Sequence, residues 1–323
     1  MALSLRIDPW AAEYEGALQI EEAEAVPPVA VDPTVETADW SPVEPEYVPC
    51  PETVVFIDGV QRTEVRVIGE EEGRLVYGAF ASIGVGAAIS RNGGSTVEPV
   101  PVRRIIALGD GAYCEPWEIE CGLSTLVFEA EPTVDKGVDA WRKAVDRARR
   151  EKEKSLGQAM VKAGHPLVIV DGRLDFQPTR RSLAVGVAKS IRTVYLERPY
   201  SKVLTELSPA TRTPIFLIQY HDPVYSWYVR LALPRAIDHP LAGIVQVETL
   251  AGIGPEAALR LADITALHLP RFASSREWDP RAPQNLYPIG ALERQLRHLL
   301  GDREWIRRHI EAHFYRRTGG KDD

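Results

Sequence analysis

Cysteine is scarce, with three in 323 residues, at Cys50, Cys114 and Cys121. A count both small and odd argues against a disulfide framework and for a reducing compartment, so a cytoplasmic location is expected. Cys114 and Cys121 stand too far apart for a zinc-knuckle pair, and no third and fourth ligand lie near them in the chain. Long apolar runs are also missing. None approaches the ~18 residues of a membrane-crossing helix, so no membrane partner is expected. Arg6, Asp8 and Pro9 interrupt the N-terminal residues, which lack the apolar stretch and small-residue cleavage site of a secretory leader. There is no nucleophile elbow, no Walker A loop and no dinucleotide fingerprint. His309 and His313 are four apart, but the segment His-Ile-Glu-Ala-His is not the zinc-protease pattern and reads as a surface pair.

The charge is unevenly distributed. The formal net charge is −8, yet residues 1–52 hold 12 acids and a single base, Arg6. Residues 53–323 therefore hold 34 acids and 37 bases, and 30 of the chain's 38 bases are Arg. Arginine favours bidentate contacts with phosphate and carboxylate. A body near +3 permits a polyanionic partner without demanding one. The acidic arm carries Glu21-Glu22-Ala23-Glu24, then Pro27, Pro28, Pro33, Pro42, Pro45, Pro49 and Pro51. Acid and proline without periodicity predict an extended or disordered segment. Three roles stay open for it: a solvating tail, an arm packed on a partner subunit or motor, and a mask over a basic groove. Two units follow, an arm over 1–52 and a folded domain over 53–323.

The domain begins strand-rich. Strands are expected at Thr53 to Ile57, Val65 to Ile68, Leu75 to Ile89, Val100 to Leu108 and Leu123 to Phe128. Gly78 to Ala88 is rich in small residues and is read as a strand with its hairpin partner. A helix is predicted from about Lys136 to Ala163, with Gly164 as its C-cap signal and Pro166 as its stop. Leu167 to Val170 is a short, wholly apolar run suited to a central strand. Further strands are expected at 184–188, 215–221, 224–233 and 244–247, and helices at 254–266, 286–300 and 302–317.

The chemistry is concentrated in two similar units, Phe56-Ile57-Asp58-Gly59 and Ile169-Val170-Asp171-Gly172. Each is read as placing a carboxylate at the C-terminal end of a buried strand, where ligands of open α/β sheets bind, with glycine allowing a sharp turn. Two such acids on adjacent strands repel unless a cation lies between them, and hard divalent ions take oxygen ligands of this kind. Their carboxylates are expected roughly 3–6 Å apart. Each Asp-Gly alone is also an ordinary turn signal. A third acid can come from the long helix. At about 100° per residue, with Val145 as zero, Glu153 falls near +80° on the flank of the buried face and Glu151 near −120°, in solvent.

In order along the domain, VVFIDG (54–59), LVIVDGRL (167–174), VGVAKS (185–190), RTPIF (212–216), IVQVE (244–248) and QNLYPIGALE (284–293) resemble the NurA nuclease family, partner of the HerA hexameric ATPase. The resemblance covers most of residues 53–323 and leaves out the arm. It implies an α/β fold with an RNase H-like core, its mixed central sheet flanked by helices and followed by extra C-terminal helices. It implies a manganese-dependent site, with magnesium as the alternative, and a homodimer working with a HerA-type ATPase. The activity implied is exonuclease and single-strand endonuclease cleavage of DNA in end resection and recombinational repair. By the same resemblance Asp58, Asp171 and Glu153, with Glu151 as rival, hold the metal. Lys189 and Tyr287 stand near the scissile phosphate. The family histidine about two turns after Tyr-Pro is replaced here by Arg294 or Gln295, which leaves His298 as the nearest histidine. Two other readings remain beside this one. An actin-like phosphotransferase shares the core but duplicates it, and a non-catalytic nucleic-acid-binding module uses Asp-Gly only as a turn.

Overall fold

The computed structural model of the protein describes residues 4–7, 29–91, 93–189, 195–279 and 281–318; Glu21-Glu22-Ala23-Glu24 and Ser190 lie outside them. The strands are β1 (Ser4–Ile7), β2 (Val31–Asp32), β3 (Thr53–Glu71), β4 (Arg74–Arg91), β5 (Gly94–Pro99), β6 (Arg103–Leu108), β7 (Trp117–Cys121) and β8 (Ser124–Pro132). They continue as β9 (Leu167–Asp171), β10 (Leu183–Ala188), β11 (Phe216–Ile218), β12 (Val224–Arg230) and β13 (Ile244–Leu250). The helices are α1 (Ala140–Lys162), α2 (Val203–Glu206), α3 (Pro255–His268), α4 (Tyr287–Leu299) and α5 (Arg303–Thr318).

The expected short strands 53–57 and 65–68 are one strand. β3 runs unbroken for 19 residues and pairs with β4 along its whole length, with one bulge between Thr63 and Val65. Asp58-Gly59 is therefore no turn; continuous pairing overrides the local signal. The turn comes later, at Glu72 (φ 51°) and Gly73 (φ 78°), the left-handed pair of a tight hairpin. The small residues of 78–88 belong to this same β4, which also pairs with β6 through Gly78–Ile83 and with β5 through Gly86–Arg91.

Around β3 the order is β6-β4-β3-β9-β10. The first three are antiparallel, while β9 is parallel to β3 and β10 to β9. With α1 leading into β9, this is the RNase H-like arrangement, and it occurs once among the described residues. β13, β12 and β11 extend it as an antiparallel run. Helix α1 covers one face; its last turn closes as a Schellman motif, with His165 N–H donating to Met160 and Gly164 N–H to Val161. Helices α3 and α4 cover the other face through Leu261, Ile264, Ile289, Leu292 and Leu296. Helix α5 closes a second core at the far end of the β3–β4 hairpin, with Phe314 against Phe80 and Trp117. No helix among the described residues is long and apolar enough to cross a membrane.

The described part of the arm, residues 29–52, packs on its own chain. β2 pairs with β11 at the sheet edge. Trp40 lies against Tyr200 and Phe216, and His268 Nε2 bonds the Val48 carbonyl. Glu36 takes both Nη atoms of buried Arg212 at 2.8 and 3.0 Å and accepts the Ile215 N–H at 2.7 Å. Arg212 Nε reaches Asp263 on α3 at 2.8 Å. The arm thus covers an otherwise open strand edge.

Candidate active site

Strand alternation decides which side chains meet. Phe56 and Val60 share the core beneath α3 and α4, whereas Val55 and Ile57 join the core on the α1 side. Asp58 therefore points toward α4, and so does Asp171, which follows Leu167 and Ile169 on the same face of β9. Parallel pairing aligns Phe56 with Ile169 and Ile57 with Val170, so the two aspartates come next, side by side. β9 ends there while β3 continues, which leaves the pair at an opening. Helix α4 presents Glu293 to the same place, and ligand oxygens of Asp58, Asp171 and Glu293 all lie within 4.8 Å of one another.

These acids border a cavity of about 650 Å³ that also receives Arg62, Arg149 and Arg297. Lys189, just past β10, sets its ammonium 2.6 Å from Asp171 Oδ2 and donates to Asn285 Oδ1 at 2.6 Å. Arg281 donates to Glu293 at 2.8 Å and ion-pairs with Asp279 at 3.2 Å, while Arg297 stands 3.6 Å from Glu293. Burial, and then the Asp171 carboxylate, holds the Asp58 carboxyl well above the usual range, with Lys189 opposing. Burial also raises Glu293, but Arg281, Lys189 and Arg297 outweigh it and bring it below the usual range.

Glu153 arrives from the opposite face. It is buried on α1, and Arg149 Nη1 donates to it at 2.5 Å. Glu151 is exposed. A Cβ on Gly59 would stand 2.5 Å from Glu153 Oε1 and 3.1 Å from Arg149 Cγ. Glycine at 59 thus lets the Glu153–Arg149 pair lie directly on β3, behind Asp58. Gly59→Ala is expected to displace that pair and destabilise the fold by about 1–3 kcal/mol. Urea unfolding checks this, and an unchanged midpoint would show that the contact yields freely.

Burial pushes the Glu153 carboxyl up to about 7, against the pull of Arg149. Because the folded pKa is raised, the associated stability is complete below the unfolded value and is lost as pH rises through about 7. Over pH 5–8 this group is expected to cost on the order of 2–3 kcal/mol, a slope that Glu153→Gln removes. Urea titrations at both pH values in EDTA measure it; identical slopes for the two proteins would contradict it.

Of the remaining residues expected at the site, Tyr287 begins α4 and is 47% exposed, against Phe272, in a different cavity. His298 is exposed in the last turn of α4 and does not line the acidic cavity. Glu293 was not picked out from the sequence. The wheel argument used for Glu153 would have found it, beside the apolar stripe Ile289, Leu292, Leu296.

No family model matches the chain. No curated protein matches it. Among solved structures it is similar to the NurA nuclease from Sulfolobus solfataricus. The identity is 12% and the TM-score 0.46, over 86% of this chain and 88% of that one.

Proposed function

We propose that the protein is a divalent-metal-dependent deoxyribonuclease whose centre is Asp58, Asp171 and Glu293, with Glu153 as a fourth carboxylate at its back. The observation that carries this reading is the convergence of three carboxylates within 4.8 Å at the end of β9, in an RNase H-like core. The donors are all hard oxygens, two of them buried, which fits Mn²⁺ or Mg²⁺ better than a softer ion. A bound ion of this kind supplies an acidified water and stabilises charge on the leaving oxygen.

The chain's own residues do the rest. Asp58 and Asp171 provide negative ligands from rigid strands. Arg281 and Arg297 hold Glu293 in place. Lys189 is anchored by Asn285 and is placed to contact a phosphate oxygen beside Asp171. Lys189 on Asp171, and Arg281 and Arg297 on Glu293, offset the acids of the cavity, whereas Arg62 and Arg149 are paired with Glu64 and Glu153, so an added cation makes the cavity attractive to a polyanion.

The segments that resemble NurA extend the reading to exonuclease and single-strand endonuclease cleavage in a cytoplasmic repair role. They also extend it to a homodimer working with a HerA-type hexameric ATPase. An Arg-rich C-terminal region, and residues 29–52 of the arm seated at the β11 edge outside the lining of the acidic cavity, are compatible with a DNA path. The test is labelled single- and double-stranded DNA incubated with Mn²⁺, with Mg²⁺ and with EDTA. Cleavage that needs the metal is expected; none with either ion, or cleavage that survives EDTA, would refute the assignment.

A further inference from the structure

Helix α4 carries two cavities. Glu293 borders the acidic one, and the next residue, Arg294, borders another of about 600 Å³. In this second cavity Trp278 is 81% exposed, although it is among the largest apolar side chains in the protein. Single exposed aromatics are common. This one, however, shares its cavity with Tyr287, and Tyr287 is braced: it lies 6.0 Å from Phe272, which meets buried Phe56 edge-on at 4.9 Å. Gly290 and Ala291 give the lining two small residues.

Charge in this cavity is arranged for an anion beside a ring. Arg294 has no ion pair among the described residues, because the nearby acids are engaged elsewhere. Arg281 holds Asp279, and Arg281 and Arg297 hold Glu293. Asp279 also accepts from Asn285 Nδ2 at 2.5 Å, and Asn285 accepts from Lys189. The partition between the cavities is thus a hydrogen-bonded chain that ends on Lys189 and Glu293.

We propose that this second cavity is a subsite for one unpaired base of a DNA strand, stacked on Trp278 and Tyr287, with a backbone phosphate on Arg294. The nature of the ligand rests on the nuclease reading above. Aromatic faces stack any base, whereas a paired duplex does not present one, so the subsite selects single strands or frayed ends. A base held here directs its strand across the partition toward Lys189 and the three carboxylates.

The test uses the full chain in EDTA, so that no cleavage occurs. Fluorescence anisotropy reports binding of a thymidine oligomer, of the same backbone made wholly abasic, and of a duplex. Trp278→Ala is expected to weaken the thymidine oligomer about tenfold and Trp278→Phe to restore most of it. The abasic backbone and the duplex should not respond to Trp278→Ala. Arg294→Ala should weaken both single strands and reduce the salt slope by about one. Equal binding of the thymidine oligomer by wild type and Trp278→Ala overturns the proposal. So does an equal loss for bases and bare backbone, or no binding of the oligomer at all. Cleavage in Mn²⁺ is scored separately. Trp278-dependent binding without cleavage rejects the nuclease and keeps the subsite, and cleavage with Trp278-independent binding does the reverse.

Discussion

Asp58→Asn and Asp171→Asn are each expected to abolish metal-dependent DNA cleavage while leaving the protein folded. Each change removes one negative ligand from a set whose oxygens lie within 4.8 Å, with almost no change in side-chain volume. A loss on the order of 10³-fold or more is expected, larger than the ~10–100-fold usual for residues that only support a ligand. Stability should move the other way for Asp58. Burial and the neighbouring Asp171 raise its folded pKa, so its ionised form is unfavourable in the native state at pH 8. An amide removes that cost, and the melting temperature of Asp58→Asn in EDTA should equal or exceed that of wild type. Glu293→Gln should weaken Mn²⁺ binding as well. Single-turnover cleavage paired with thermal melts separates the effects. Full Mn²⁺-dependent activity in either aspartate variant would remove that residue from the centre.

The second large effect lies far from the chemistry. Glu36→Ala should destabilise the protein by about 3–5 kcal/mol, the usual result of breaking a buried ion pair from one side. Arg212 is only 3% exposed and would keep Asp263 while losing its bidentate partner. The Ile215 N–H would lose its acceptor in the same change. Replacing Glu36, Arg212 and Asp263 together by apolar residues should recover part of the loss, because no unpaired charge then remains in the cluster. Urea unfolding decides the matter; a loss below about 1 kcal/mol for Glu36→Ala would mean that the arm is not a structural strap. On this account, removing residues 1–50 harms folding before it affects any partner.

The sequence was most legible where local and long-range preferences agree. α1 stops at Gly164 because the left-handed cap and the apolar stripe coincide, and β9 ends at Asp171 as its apolar run suggested. Legibility failed where distant pairing overruled a local signal. Asp58-Gly59 carries the composition of a turn, yet β4 pairs straight past it. Glycine is there because buried Glu153 and its half-buried partner Arg149 from α1 lie on it, which no pattern within β3 reveals. The attachment of residues 29–52 of the arm to their own chain was hidden for a related reason. Prolines and acids dominate the arm's composition, while Val31, Glu36 and Trp40, which attach it, are too few and too scattered to show a period. Glu293 was hidden among the charges of an Arg-rich helix, although its place beside the apolar stripe was available. For Asp58 and Asp171, the apolar strands preceding them indicated adjacency; the face they share follows only from the parallel register of β3 and β9.

The most direct test of the three-carboxylate centre is anomalous diffraction from crystals soaked in Mn²⁺. A manganese peak bounded by Asp58, Asp171 and Glu293, with the Lys189 ammonium moved away from Asp171, is the predicted result. Manganese bound elsewhere in the crystal with no peak between those three carboxylates would contradict it.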